Sequence, residues 1–338
     1  MGSIEIPSAL KKRLPKGSFV DALLRKVEVY AARGMDLFPN YTDHGVPHVN
    51  HVLATAAKLI PRDTLKDLSP LAVEILVVSC AVHDLGMFVR TDGLQQLIFS
   101  AMPPKVDHLD KQTWRELWDD YYREIKHFST ARLEDTFGTD PSGAVEPPKV
   151  PADSIPVNPT VQDRRVYGEF VRRDHERLSR DMVIHGFFGA ETTPLIDPAT
   201  WPRTPADHRV RDLIGLIAQS HGMALRDTED YLKNHHVFSP SPTSPLAGVP
   251  VFYLMALLRL ADYLDAGSER APYELPRMQA LRSATSTMEF EWNGAVVDNL
   301  IWDFDERRVV VQADPKSGAV FRRIHSWITA VQEEAVCP

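Results

Sequence analysis

Apolar residues recur three and four positions apart along most of the chain, the spacing that gathers them on one face of an α-helix. Val20, Leu23, Leu24, Val27 and Tyr30 predict a first amphipathic helix over 18–34. The pattern returns over 46–60, 69–85, 110–127, 161–187, 209–220 and 249–265, so the body of the protein is predicted to be all-α. Gly86 follows His83-Asp84 and is placed to end the 69–85 helix, since glycine takes the left-handed conformation there with little strain.

The periodicity fails in two places. Between Thr139 and Thr160 stand Pro141, Pro147, Pro148, Pro151, Pro156 and Pro159, which support neither helix nor central strand, so a long surface loop is expected. With the preceding Trp114, Trp118, Tyr121 and Tyr122, it makes residues 91–160 an insertion between two parts of the helical body, expected to form a lid over the metal pocket that polar residues of the body would build. Those aromatics read either as a helix packing on the body or as a platform for a stacked substrate. After Pro276 the runs Met288–Trp292, Val297–Phe304 and Val309–Ala313 are short and β-rich, with Asn293-Gly294 as a turn signal, and a helical pattern resumes over 318–335. The expected fold is a mainly α body over 17–275, with a small β-rich appendage of antiparallel sheet plus C-terminal helix over 276–338.

Composition narrows the function. With 338 residues, 43% hydrophobic and 25% charged, the chain can bury a large core without staples. Its two cysteines, Cys80 in an apolar run and Cys337 at the end, suggest no disulfide framework. The N-terminal MGSIEIPSALKKRLPKG has no apolar stretch after its basic residues, and no apolar run is long enough to span a membrane. A cytoplasmic protein with no membrane partner is the expectation. A net charge of -8 argues against duplex nucleic acid, whose binding draws on many Lys and Arg contacts to phosphate, and favours a small-molecule substrate.

The chemistry concentrates in a few polar residues set into apolar helices. His83-Asp84 closes the run ILVVSCAVHDLGMF, where two strong ligand types are costly to bury unless they are paired or metal-bound. His48 lies in YTDHGVPHVNHVLATA, on a helix whose apolar face must turn inward, and Asp262 stands in FYLMALLRLADYLDAG. Imidazole and carboxylate together suit a divalent transition metal: Mn, Fe, Co or Ni, with Zn or Mg also compatible. His44, His51, His127, His185, His235 and His236 read as ordinary core or surface histidines.

The order His, His-Asp, Asp on successive helices resembles the HD superfamily of metal-dependent phosphohydrolases. RRDHERLSRDMV and LIAQSHG supply His175 and His221 where two-metal members carry further histidines. The resemblance implies an HD-domain helical bundle holding one or two ions through His48, His83, Asp84, His175, His221 and Asp262, with Asp84 as the bridge. It implies hydrolysis of a phosphate ester or diester in a nucleotide-like compound by a metal-activated water, which Asp84 would orient. Asp174 reads either as a base behind the ligands or as a helix-surface acid; Arg259 and Arg270 read either as phosphate contacts or as surface ion pairs. HDLGM together with RLADYLDAGSERAP is most similar to the HD domains of bacterial conflict-system proteins. Two features depart from related patterns: Met87 stands where many HD enzymes have lysine, and Ser220-His221-Gly222 replaces the paired histidines of the cyclic-dinucleotide branch. The same six ligands also serve mixed-valent di-iron oxygenases acting on small molecules, and the change at Met87 leaves room for a ligand-binding module without catalysis.

Overall fold

The structure is a computed structural model that describes residues 2–38, 44–100, 103–106, 109–138, 153–156, 158–189, 207–223, 246–267, 271, 284–297, 300–303 and 308–336. Most of the proline-rich stretch, Arg270, His235 and His236 lie outside these residues.

A short helix, α1 (Ser8–Lys11), precedes α2 (Val20–Ala31), α3 (Val46–Leu59), α4 (Arg62–Asp67) and α5 (Pro70–Val82). The centre of the body is α5. Ser69 caps it by accepting from the Ala72 amide at 3.1 Å, and Pro70 occupies the first turn, where its missing N–H costs nothing. Every residue from Ala72 to Val82 is buried, because α2, α3, α11 (Asp207–Ser220) and α12 (Val251–Tyr263) all pack on this one helix. Glu74 is the one carboxylate in that run; burial raises its pKa, opposed by a hydrogen bond from Ser18 Oγ at 2.6 Å.

α5 stops at Val82, and Leu85–Phe88 form a turn of 3₁₀ helix in which Gly86 does not take the left-handed conformation expected of it. Its role is close approach. A Cβ at Gly86 would lie 2.4 Å from the backbone oxygen of His175, and its amide donates to Ser179 Oγ at 2.8 Å. The missing side chain therefore seats the end of the His-Asp segment directly against α10 (His175–His185).

The helix expected over 161–187 is two helices, α9 (Val161–Arg173) and α10, broken at Asp174, whose backbone (φ -134°, ψ 22°) leaves the helical region. Aspartate competes for backbone hydrogen bonds and is a weak helix former, so one such residue can host a break that apolar periodicity does not reveal. Three helices, α6 (Thr91–Phe99), α7 (Trp114–Lys126) and α8 (Thr130–Phe137), make up the described part of the insertion. In α7, Trp114, Trp118 and Tyr121 are buried, and Trp118 stacks edge-on against Phe170 of α9 with ring centres 5.2 Å apart. These aromatics join the insertion to the body and offer no open stacking surface.

The C-terminal segment corrects one expectation. Met288–Trp292 is not a strand; it lies inside α13 (Ala284–Ala295). Five residues of apolar-polar alternation fit either structure, and here side-chain contacts decide: Glu289 accepts from Trp292 Nε1, three residues on, at 2.7 Å, which needs helical spacing, and from Arg323 of α14 (Gly318–Val336). The sheet among the described residues is one antiparallel pair, β1 (Ile301–Asp303) and β2 (Arg308–Val310), registered Trp302 opposite Val309. Ala266, Trp292, Val296, Val320, Ile324 and Trp327 form a second, smaller core, and Trp327 Nε1 ties α14 to the Tyr263 carbonyl at the end of α12 at 2.7 Å. The molecule is thus mainly α-helical.

Candidate metal centre

Three helices and two helix ends bring the six polar residues to a single point. His48 comes from the first turn of α3, His83 and Asp84 from the end of α5, His175 from the start of α10, His221 from the end of α11, and Asp262 from the last turn of α12. His48, His83, Asp84 and Asp262 form one group that can hold an ion, and Asp84, His175 and His221 form another. In the first, His48 Nε2 lies 3.0 Å from His83 Nε2, 3.1 Å from Asp84 Oδ2 and 3.5 Å from Asp262 Oδ1. In the second, His175 Nε2 lies 3.0 Å from His221 Nε2 and 3.2 Å from Asp84 Oδ1. One carboxylate therefore turns one oxygen to each group.

The outer ring nitrogens fix the tautomers. Nδ1 of His83, His175 and His221 faces the carbonyl oxygen three residues earlier, at 2.9, 3.0 and 2.5 Å, and must carry the hydrogen to donate to it. His48 Nδ1 does the same toward Asp265 Oδ2 at 2.5 Å. In the neutral rings all four Nε2 atoms then point inward as lone pairs, and two such pairs meet at 3.0 Å. Lone pairs at that separation repel unless a positive charge lies between them. The donor set, nitrogen-rich with shared carboxylates, fits divalent transition ions.

The electrostatics agree. Burial would strip a proton from His83, yet Asp84 and Asp262 outweigh it and raise its pKa well above the ordinary imidazole value. Against burial that favours the neutral acid, His83 and His44 hold Asp84 well below the usual carboxylate range, and His83 lowers Asp262 likewise. For His175 the contact with Asp84 overcomes burial and lifts its pKa to about 8. The carboxylates thus hold positive charge among the imidazoles, as protons or as metal ions.

Two neighbours escaped sequence reasoning. His44, read as bland, places Nδ1 2.7 Å from Asp84 Oδ2, beside the bridging carboxylate. Asp265 holds His48 and also stands 3.2 Å from His51 Nδ1, the kind of carboxylate that orients a ligating imidazole from behind. A signal for Asp265 was available: His48 and His51 on one apolar helix, and Asp262 and Asp265 at the end of another, are two pairs spaced three apart.

Other candidates fall differently. Asp174 forms the break before His175, and burial raises its pKa to about 6. Arg259 is buried, so it is not a surface ion pair; its guanidinium is committed to Glu334 of α14 and to the Ser220 and Met223 carbonyls. Those internal partners argue against the expected phosphate contact and make Arg259 a tie between α12, the end of α11 and the C-terminal helix. Met87 is in the core, 1% exposed. Arg270 lies outside the described residues.

A protein-family model described as HD-CE matches residues 38–335. The chain belongs to the HD-CE family. It therefore carries an HD-type domain, and the matched span includes all six clustered residues as well as the C-terminal hairpin and nearly all of α14. No curated protein and no solved structure matches the chain. Among the described residues, no helix is long and apolar enough to cross a membrane.

Proposed function

We propose that this HD-CE protein is a two-metal phosphohydrolase acting on a phosphate ester or diester, with a nucleotide-like compound as the substrate class. The observation that carries the reading is the division of Asp84, with Oδ2 toward His48 and Oδ1 toward His175. Divalent ions in such a setting supply a nucleophilic hydroxide near neutral pH and polarise a phosphoryl oxygen. His48, His83 and Asp262 would hold one ion and His175 and His221 the other, with Asp84 able to offer one carboxylate oxygen to each. The chain's own contribution is to present six ligands, the four imidazoles with their tautomers already set. Asp265 orients His48 and contributes negative charge behind it. His44, hydrogen-bonded to Asp84 and slightly exposed, is placed to hold a proton beside the bridging carboxylate. Asp174, with a pKa raised to about 6, is proposed to accept a proton from the ligand shell at neutral pH.

Hydrolysis of generic phosphate monoesters and diesters, measured with added Mn, Co or Ni, tests this reading against oxygen consumption by the iron-loaded form. Phosphate release that depends on metal and is absent from Asp84→Asn is the expected result. Oxygen uptake with a small-molecule co-substrate and no phosphate release would assign the same ligands to an oxygenase. Metal binding with neither activity would leave a ligand-binding module.

A further inference from the structure

Beyond the metal centre, buried charge concentrates at one place among the described residues, where Asp110, Arg177, Arg180 and Asp181 are all buried. Arg180 is its hub, 2% exposed. Its Nε donates to Asp181 Oδ1 at 3.0 Å, Nη1 donates to Asp110 Oδ1 and Gln219 Oε1, both at 2.9 Å, and Nη2 donates to Asp110 Oδ2 and Asp181 Oδ1, both at 2.7 Å. All five guanidinium hydrogens are used. The acceptors are held in turn: Asp110 Oδ2 accepts from the Val106 amide at 2.7 Å, and Asp181 Oδ2 from Trp114 Nε1 at 2.8 Å. Gly215 of α11 makes room for the hub, since a Cβ there would lie 3.0 Å from Arg180 Cγ.

Three parts of the chain meet on this one side chain: the insertion between Val106 and Trp114, α10 and α11. The second ligand pair sits on those same two helices. His175 is five residues before Arg180 on α10, and His221 is two residues after Gln219 at the end of α11. Dehydrating two arginines and two aspartates is costly, and apolar residues of similar volume commonly stabilise as well or better. What a fully satisfied fork adds is a fixed relative placement of the groups it binds.

We propose that Arg180 is a positioning residue for the second metal ion. By clamping α10 to α11 it sets the approach of His175 to His221, and through Asp110 it makes that approach depend on the insertion. The proposal rests on the two-ion reading above. It places control of one ion, and not the other, on residues that touch neither.

The test is metal binding by the whole chain, with Mn content measured by elemental analysis and affinity by calorimetric titration. Asp110→Asn and Gln219→Ala should each keep the first ion at wild-type affinity and weaken the second, by at least about tenfold for Asp110→Asn and by less for Gln219→Ala. Arg180→Lys keeps the charge but loses the fork, and should behave like Asp110→Asn. Asp110→Glu, which restores a carboxylate, should recover part of the loss. Val320→Ala, which weakens the separate C-terminal core, controls for general destabilisation and should leave both ions in place. Should Asp110→Asn fail to fold, Gln219→Ala and Arg180→Lys still decide the matter. Folded variants that bind both ions as the wild type does, or that weaken both equally, overturn the positioning role while the two-ion reading stands. A wild-type protein that saturates at one ion overturns the two-ion reading and this proposal with it.

Discussion

The two halves of the centre differ in how they are built. His48 and His83, 1% and 0% exposed, arise from α3 and α5, which pack on one another in the middle of the body, and Asp265 braces His48 from behind. His175 and His221 arise at the tip of α10 and the end of α11; the His175 side chain is 21% exposed, and its placement depends on a helix break at Asp174 and on the bare backbone of Gly86. The two histidines of the first half belong to the core, so they are preorganised wherever the protein is folded, while the Asp262 side chain is 23% exposed. The second half rests on a junction between α10, α11 and the insertion. Asp84 belongs to both.

That contrast can be broken most completely at the shared residue. In Asp84→Asn an amide replaces the negative charge facing both groups, so the variant should fold yet lose activity and most of its metal, as read by circular dichroism and elemental analysis. Full activity would show that the site is misassigned. Next, His175→Ala and His221→Ala should each lower the metal content from about two ions to about one, whereas His83→Ala should empty the first site. His185→Ala, a half-buried position outside both groups, should leave the count unchanged.

Asp265→Asn should act on one half only. It should weaken the first ion by about 10- to 100-fold, the usual cost of losing a carboxylate behind a ligating histidine, and spare the second. The smallest effect concerns pH. His175 has its folded-state pKa raised to about 8, so a proton competes with metal there, and second-site affinity should fall by up to about tenfold per unit as pH drops below that value. In the metal-free protein the same raised pKa stabilises the fold fully below the ordinary histidine value of 6.5. That contribution should be lost as pH rises through about 8. Thermal melts of metal-free and Mn-loaded protein between pH 6 and 9 would show this decline in the first and not in the second.

Much of this was legible in the residues. Polar ligands set into apolar helices, as with His83-Asp84 after Ile75–Val82 and Asp262 among Leu258, Ala261 and Leu264, announce themselves because burial without a partner is so costly. The helices themselves followed from periodicity. Where reading failed, the deciding interaction was long-range. Met288–Trp292 alternates like a strand, and Arg323, on a helix 34 residues from Glu289, joins the local Trp292 contact in marking its helical face. Gly86 looks like a helix terminator, yet its role is defined by His175, far along the chain. His44 was hidden because it precedes its helix and has no apolar frame to make it conspicuous. The Arg180 hub was hidden for a similar reason, since nothing in sequence links Asp110 to Gln219.

The central claim, two ions bridged by Asp84, is tested most directly by anomalous X-ray diffraction from crystals of the Mn-loaded protein. The account predicts two anomalous peaks on opposite sides of the Asp84 carboxylate, one contacted by His48, His83 and Asp262 and the other by His175 and His221. A single peak at full occupancy, or peaks that leave Asp84 uncoordinated, would contradict it.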